Sequence, residues 1–149
     1  MKKSSKIYIT ISSLLSGLIL SRFAISKLTG WEISVKAFIE MAKPLGIDPT
    51  FFRIFTGVLI LVVFISYLIT AIYTFFQDKE FLSHRINYYV FGIFAHTLGL
   101  LTMVGALIAE FALRVEPKWL LVFIALGIVI SSAINLMIFN KKLKTLNLT

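Results

Sequence analysis

The chain has 149 residues, 58% of them hydrophobic and 15% charged, with a formal net charge of +8 and no cysteine. Soluble domains carry about 45–50% apolar and roughly a quarter charged residues, so a mean hydropathy of +0.93 fits neither an ordinary soluble domain nor a disordered chain. Without cysteine there is no disulfide framework, thiolate zinc site, Cys-ligated iron–sulfur cluster or c-type haem attachment. Nor does the positive charge indicate nucleic acid, because the basic residues sit at the ends of apolar segments and not along one face of a soluble fold.

Crossing roughly 30 Å of hydrocarbon takes about 20 mostly apolar residues. Four stretches qualify, at about 7–28, 51–76, 88–113 and 119–139, with ends uncertain by about 2–4 residues. Lys2, Lys3 and Lys6 give the first a positive front end. Its apolar run is longer than the roughly 7–15 residues of a signal-peptide core and no cleavage motif follows it, so it reads as a retained first helix. Lys141, Lys142 and Lys144 follow the last span. Because four crossings bring both termini to one side, the two lysine clusters predict cytoplasmic N- and C-termini. The joining segments are more mixed, with Lys79 and Arg85 in the inner loop and Lys36, Lys43, Arg53, Arg114 and Lys118 in the outer ones.

Between the first two spans, residues 31–43 are too few and too charged to cross. Glu32, Lys36, Glu40 and Lys43 recur at helical spacing while Trp31, Val35, Phe38 and Ala42 mark another face, which predicts an interfacial amphipathic helix with a Glu32–Lys36 ion pair. Such a helix serves equally as a connector or as a lid or docking surface. Pro44 and Gly46 end it, and Asp48-Pro49 supplies an N-cap and first turn for the second span. No internal repeat or linker is visible, so the whole chain, 1–149, reads as one domain.

Within the spans, polar and small residues carry the information. Gly92, His96, Gly99, Met103, Ala106 and Glu110 follow one another by alternating steps of four and three, a heptad seam that should face inward. The second span has a seam of Thr56, Ile60, Val63, Tyr67, Thr70 and Thr74; the first has Ser13, Gly17 and Ser21; the fourth has Ser131, Ser132 and Asn135. At about 1.5 Å per residue, Tyr67, His96 and Asn135 come to one height on the cytoplasmic side of the midplane, an inner polar cluster. Arg22 and Glu110 both lie toward the outer side. An Arg22–Glu110 pair is geometrically allowed, and snorkelling of Arg22 to the headgroups beside Lys27 is the equal alternative. His96 reads first as interhelical glue and not as a metal or haem ligand. With one histidine in a span and the other, His84, in the inner loop, two-histidine haem ligation within one chain is excluded. Neither HExxH, a P-loop, a nucleophile elbow nor GxGxxG occurs, so hydrolase, kinase and dinucleotide-binding readings have no basis, and no catalytic residue or metal site is assigned.

The string Gly17-Leu-Ile-Leu-Ser-Arg22-Phe-Ala24-Ile-Ser-Lys27-Leu-Thr-Gly30, the stretch 38–46 with its Pro/Gly break and Thr56-Gly57 opening the second span resemble the DoxX-like membrane proteins. The likeness departs at Ala24, where the family often has glycine, and at Leu59 and Ile60, where it often has a glutamate. It implies a bacterial inner-membrane protein. Some relatives are subunits of quinone-linked oxidoreductases of the thiosulfate:quinone type, some belong to other membrane oxidoreductase complexes, and similar four-helix relatives support methylamine dehydrogenase maturation.

Taken together, the expected fold is an all-α integral membrane four-helix bundle with an interfacial helix between spans one and two. The leading functional expectation is a non-haem membrane subunit or anchor of a quinone-linked or other redox complex. In it, Arg22 and Lys27 give positive potential toward a quinone head or small anion, Glu110 orients Arg22 and Trp31 covers the mouth. The alternative is a non-enzymatic structural or assembly partner using Gly92 and Gly99 as a docking face; a small oligomeric transporter is less favoured. Expected partners are membrane lipid, another membrane or redox protein and a second copy of the chain, with quinone as the candidate cofactor and none intrinsic.

Overall fold

The computed structural model describes residues 3–76 and 85–147; Lys2, Lys79 and His84, named above, lie outside them. Among the described residues all regular secondary structure is helical: α1 (Lys3–Leu28), α2 (Glu32–Ala42), a 3-10 turn (Lys43–Leu45), α3 (Pro49–Phe76), α4 (Arg85–Ala112) and α5 (Trp119–Asn147). Four of these, α1, α3, α4 and α5, are long and apolar enough to cross a membrane.

The punctuation between helices follows from local chemistry. Gly30, at φ 72°, ends α1, and the Trp31 N–H reaches back to the Ser26 carbonyl at 3.0 Å, the backbone signature of a left-handed C-terminal cap. Trp31 then starts α2, its carbonyl accepting the N–H groups of Ser34 and Val35. Lys36 and Glu32 form the expected ion pair at 2.6 Å, which is worth little because both side chains are exposed. Asp48 caps α3 by accepting the Phe51 N–H at 2.6 Å, with Pro49 in the first turn, where its missing N–H is no loss.

α1 packs chiefly on α3 and α4 on α5; the two pairs meet along α3 and α4, with a lighter α1–α5 contact, and α2 lies on α3. Small residues permit the close approaches. A Cβ on Gly57 would lie 3.0 Å from the Lys27 side chain, and one on Gly92 would lie 2.6 Å from the Phe139 ring. The main core gathers Leu20, Val63, Tyr67, Ala95, Met103 and Ile128. A second cluster, Ile9, Tyr88, Tyr89 and Phe139, closes the end that carries the start of α1 and the end of α5. α5 runs eight residues past the apolar stretch read from sequence, because Leu143 and Leu146 pack against this second cluster. Large apolar side chains such as Leu18, Phe55, Leu101, Ile108 and Phe123 point outward, as the lipid-facing surface of a bundle requires.

Candidate functional site

Polar side chains gather in two places. The first lies inside the bundle. His96 on α4 is almost fully buried, its ring 4.7 Å from that of Tyr67 on α3 and stacked 5.8 Å from that of Phe139 on α5. His96 Nε2 lies 3.3 Å from both Ser13 Oγ on α1 and Asn135 Nδ2 on α5. Asn135 Nδ2 also donates to Ser12 Oγ at 2.9 Å, and the Tyr67 hydroxyl pairs with Ser132 Oγ at 2.6 Å. All four membrane-crossing helices thus contribute to one polar cluster. The structure brings Tyr67, His96 and Asn135 together, and adds Ser12 and Ser132 to them. Toward the chain-termini end, Thr74 Oγ1 and the Tyr88 hydroxyl meet at 2.7 Å.

Gly99 and Gly92 belong to this packing. A Cβ on Gly99 would fall 1.9 Å from the Tyr67 hydroxyl, so the seam of α4 is filled from within by Tyr67 and Phe139. That corrects the expectation that Gly92 and Gly99 form a docking face for another protein: rings of the same chain already occupy it. Gly17, also inward, faces Phe64 and Tyr67. Ser13 is buried, whereas Ser21 turns back to the Leu18 carbonyl at 2.8 Å. Ala106 is the exposed member of the α4 seam.

The second gathering lies at the α2 end. Glu110, near the end of α4, accepts from Arg114 Nη1 at 3.0 and 3.3 Å and from the Lys118 N–H at 2.6 Å. Its carboxylate therefore sits between a guanidinium and the N-terminus of α5, two positive neighbours. The Arg114 and Glu110 side chains are only 6% and 9% exposed. Glu40 of α2 reaches across, with Oε2 3.7 Å from Arg114 Nε and Oε1 accepting the Val115 N–H at 2.8 Å. This strap ties the interfacial helix to the α4–α5 connection. An open cleft of about 470 Å³ beside it is lined by Lys36, Glu40, Arg114 and Lys118 among others, and Trp31 is not among its walls.

The four residues expected to hold a ligand are accordingly dispersed. Arg22 is exposed on α1 and makes no ion pair with Glu110, which is held by Arg114 instead. The reason is rotational: both residues lie toward the same end of the bundle, but Arg22 is turned outward beside Leu18 and Ile25. Lys27 is half-buried, its ammonium 5.4 Å from the Phe23 ring centre and 5.7 Å from that of Phe38, and it feels the charge of Glu110. Trp31 is 43% exposed. Arg53, on α3, donates through Nη1 to the Lys27 carbonyl at the end of α1. The sequence alone assigned Arg114, Glu40 and Arg53 no site role; the i,i+4 spacing of Glu110 and Arg114 was the available signal. Among the described residues no group of three or more His, Asp or Glu converges as a metal site would require. Compared with family models, curated proteins and solved structures, the chain matches none.

Proposed function

We propose that this protein is a membrane-embedded, non-haem subunit or anchor of a larger membrane complex. The quinone-linked or other redox class is what the DoxX-like resemblance implies for that complex. The single observation that supports the reading is Arg22, exposed on a face of α1 otherwise built from Leu15, Leu18, Ile19 and Ile25. It lies about 9 Å from the end of its helix at 1.5 Å per residue. Arginine at a span centre costs about 2.5–3.5 kcal/mol even on the lower scales, and such groups normally meet a partner or the headgroups. Glu110, the carboxylate that this chain could have offered, is engaged by Arg114. A neighbouring membrane protein presenting a carboxylate or carbonyl would satisfy Arg22 and shield it from lipid. Within such a complex Lys27, between Phe23 and Phe38, is the donor this chain offers to a quinone head.

The bilayer in question is, on this reading, a bacterial cytoplasmic membrane with both termini inside. The described lysines at the start of α1 and the end of α5, Lys3, Lys6, Lys141, Lys142 and Lys144, share one end of the bundle, as the charge rule for cytoplasmic ends favours. The test is purification in mild detergent, native mass spectrometry of the intact assembly and extraction of bound quinone. A stoichiometric redox protein that is lost on Arg22→Leu is the expected result. A bare monomer carrying only bulk lipid would overturn the reading. A partner with no redox group would leave the anchor role and replace the redox class with a purely structural one.

A further inference from the structure

His96 and Asn135 are each 1% exposed, in the interior of the span region. Ser13, their neighbour on α1, lies about 4 Å from the middle of its helix at 1.5 Å per residue. Within this cluster His96 Nδ1 and Asn135 Oδ1 are buried and have no hydrogen-bond partner among the described residues. Water from the bulk does not reach them, and a polar atom left alone in such a place is costly.

The shortfall does not depend on how the hydrogens are assigned. With the Asn135 amide as drawn, Nδ2 donates, so a neutral His96 accepts at Nε2 and carries its proton on Nδ1. The cluster then lacks an acceptor for Nδ1–H and a donor for Oδ1. If the amide is turned over, its oxygen takes the place facing Nε2, which must then carry the proton. Nδ1 becomes an unpaired acceptor and the amide N–H₂ an unpaired donor. In both arrangements one donor and one acceptor remain. The guest that complements such a pair is a molecule with both functions, and it meets Nδ1 in the plane of an imidazole packed against the Tyr67 and Phe139 rings.

We infer that this cluster holds bound water inside the bundle, hydrogen-bonded to His96 Nδ1 and to the unpaired atom of the Asn135 amide. Buried waters occur about once per 27 residues in globular proteins and typically serve such atoms. The inference is independent of the proposed subunit role, since it concerns only groups within this chain.

The test uses the full-length protein in lipid nanodiscs with 15N-labelled histidine and asparagine. His84→Gln leaves His96 as the sole histidine to be observed. Cross-relaxation from water to the His96 ring N–H or the Asn135 side-chain amide is expected, and its loss in Asn135→Leu with helical circular dichroism retained. A dry spectrum for the unmodified cluster would overturn the inference without any appeal to the variant. So would a crystal structure in which Nδ1 meets a backbone carbonyl, or in which a lipid or quinone oxygen takes the position of the water.

Discussion

Tyr67 on α3 and Gly99 on α4 use a single volume: a Cβ on Gly99 would lie 1.9 Å from the Tyr67 hydroxyl and 2.5 Å from its Cζ. The ring enters the seam of α4 because glycine leaves room for it, and in that position its hydroxyl reaches Ser132 on α5. Gly99→Ala is therefore expected to displace Tyr67 and to cost about 1–3 kcal/mol, the usual range for overpacking. Gly105→Ala and Gly127→Ala, where an added Cβ meets nothing within 4 Å, should leave unfolding in detergent unchanged or slightly improved. Because helix propensity favours alanine over glycine, equal losses at all three glycines would show that the Gly99–Tyr67 contact does not govern the effect.

Removing Glu110 takes away the closer carboxylate of the buried Arg114 and leaves it Glu40 at 3.7 Å. Glu110→Gln is expected to destabilise by about 3–5 kcal/mol, as for other buried pairs that lose one member. Glu40 is 35% exposed on its side chain, so Glu40→Gln should cost less, while freeing α2 to limited proteolysis. The order of the two variants in thermal unfolding is the measurement that checks this.

Arg53→Ala removes the guanidinium donor to the Lys27 carbonyl and should cost about 1.5–3 kcal/mol, the range for hydrogen bonds to charged groups. Gly30→Ala, next to it, places a side chain at φ 72°, for which about 1–2 kcal/mol is expected. Both act on the α1–α2 corner, so the double variant should be non-additive. Unfolding of the two single variants and the double variant reads this coupling.

Asn135→Leu deletes the donor to Ser12 and the contact with His96. Interhelical hydrogen bonds within membranes average about 0.6 kcal/mol and reach about 1.7, so a loss within that range is expected, measured by unfolding in mild detergent. Arg22→Leu, by contrast, touches no ion pair among the described residues. It should leave the stability of the isolated protein within about 0.5 kcal/mol of the original, as for surface changes away from special features.

Much of the architecture was legible without coordinates. Hydropathy and length delimit the four crossings, the Glu32–Lys36 spacing and Trp31 mark the interfacial helix, and Asp48-Pro49 announces the start of α3. These are local properties, set by a helical period and by the chemistry of a few cap residues. Depth was equally accessible, since a fixed rise per residue places Tyr67, His96 and Asn135 at one height. Rotation was not. Whether Glu110 meets Arg22 or Arg114, whether Gly99 faces a partner protein or a ring of its own chain, and whether Arg22 points inward or to lipid depend on how each helix turns about its axis. In a membrane, the hydrophobic effect does not set that turn, because lipid and core are equally apolar. Side-chain packing sets it, through the fit of Tyr67 on Gly99 and Phe139 on Gly92, and only the assembled bundle contains that fit.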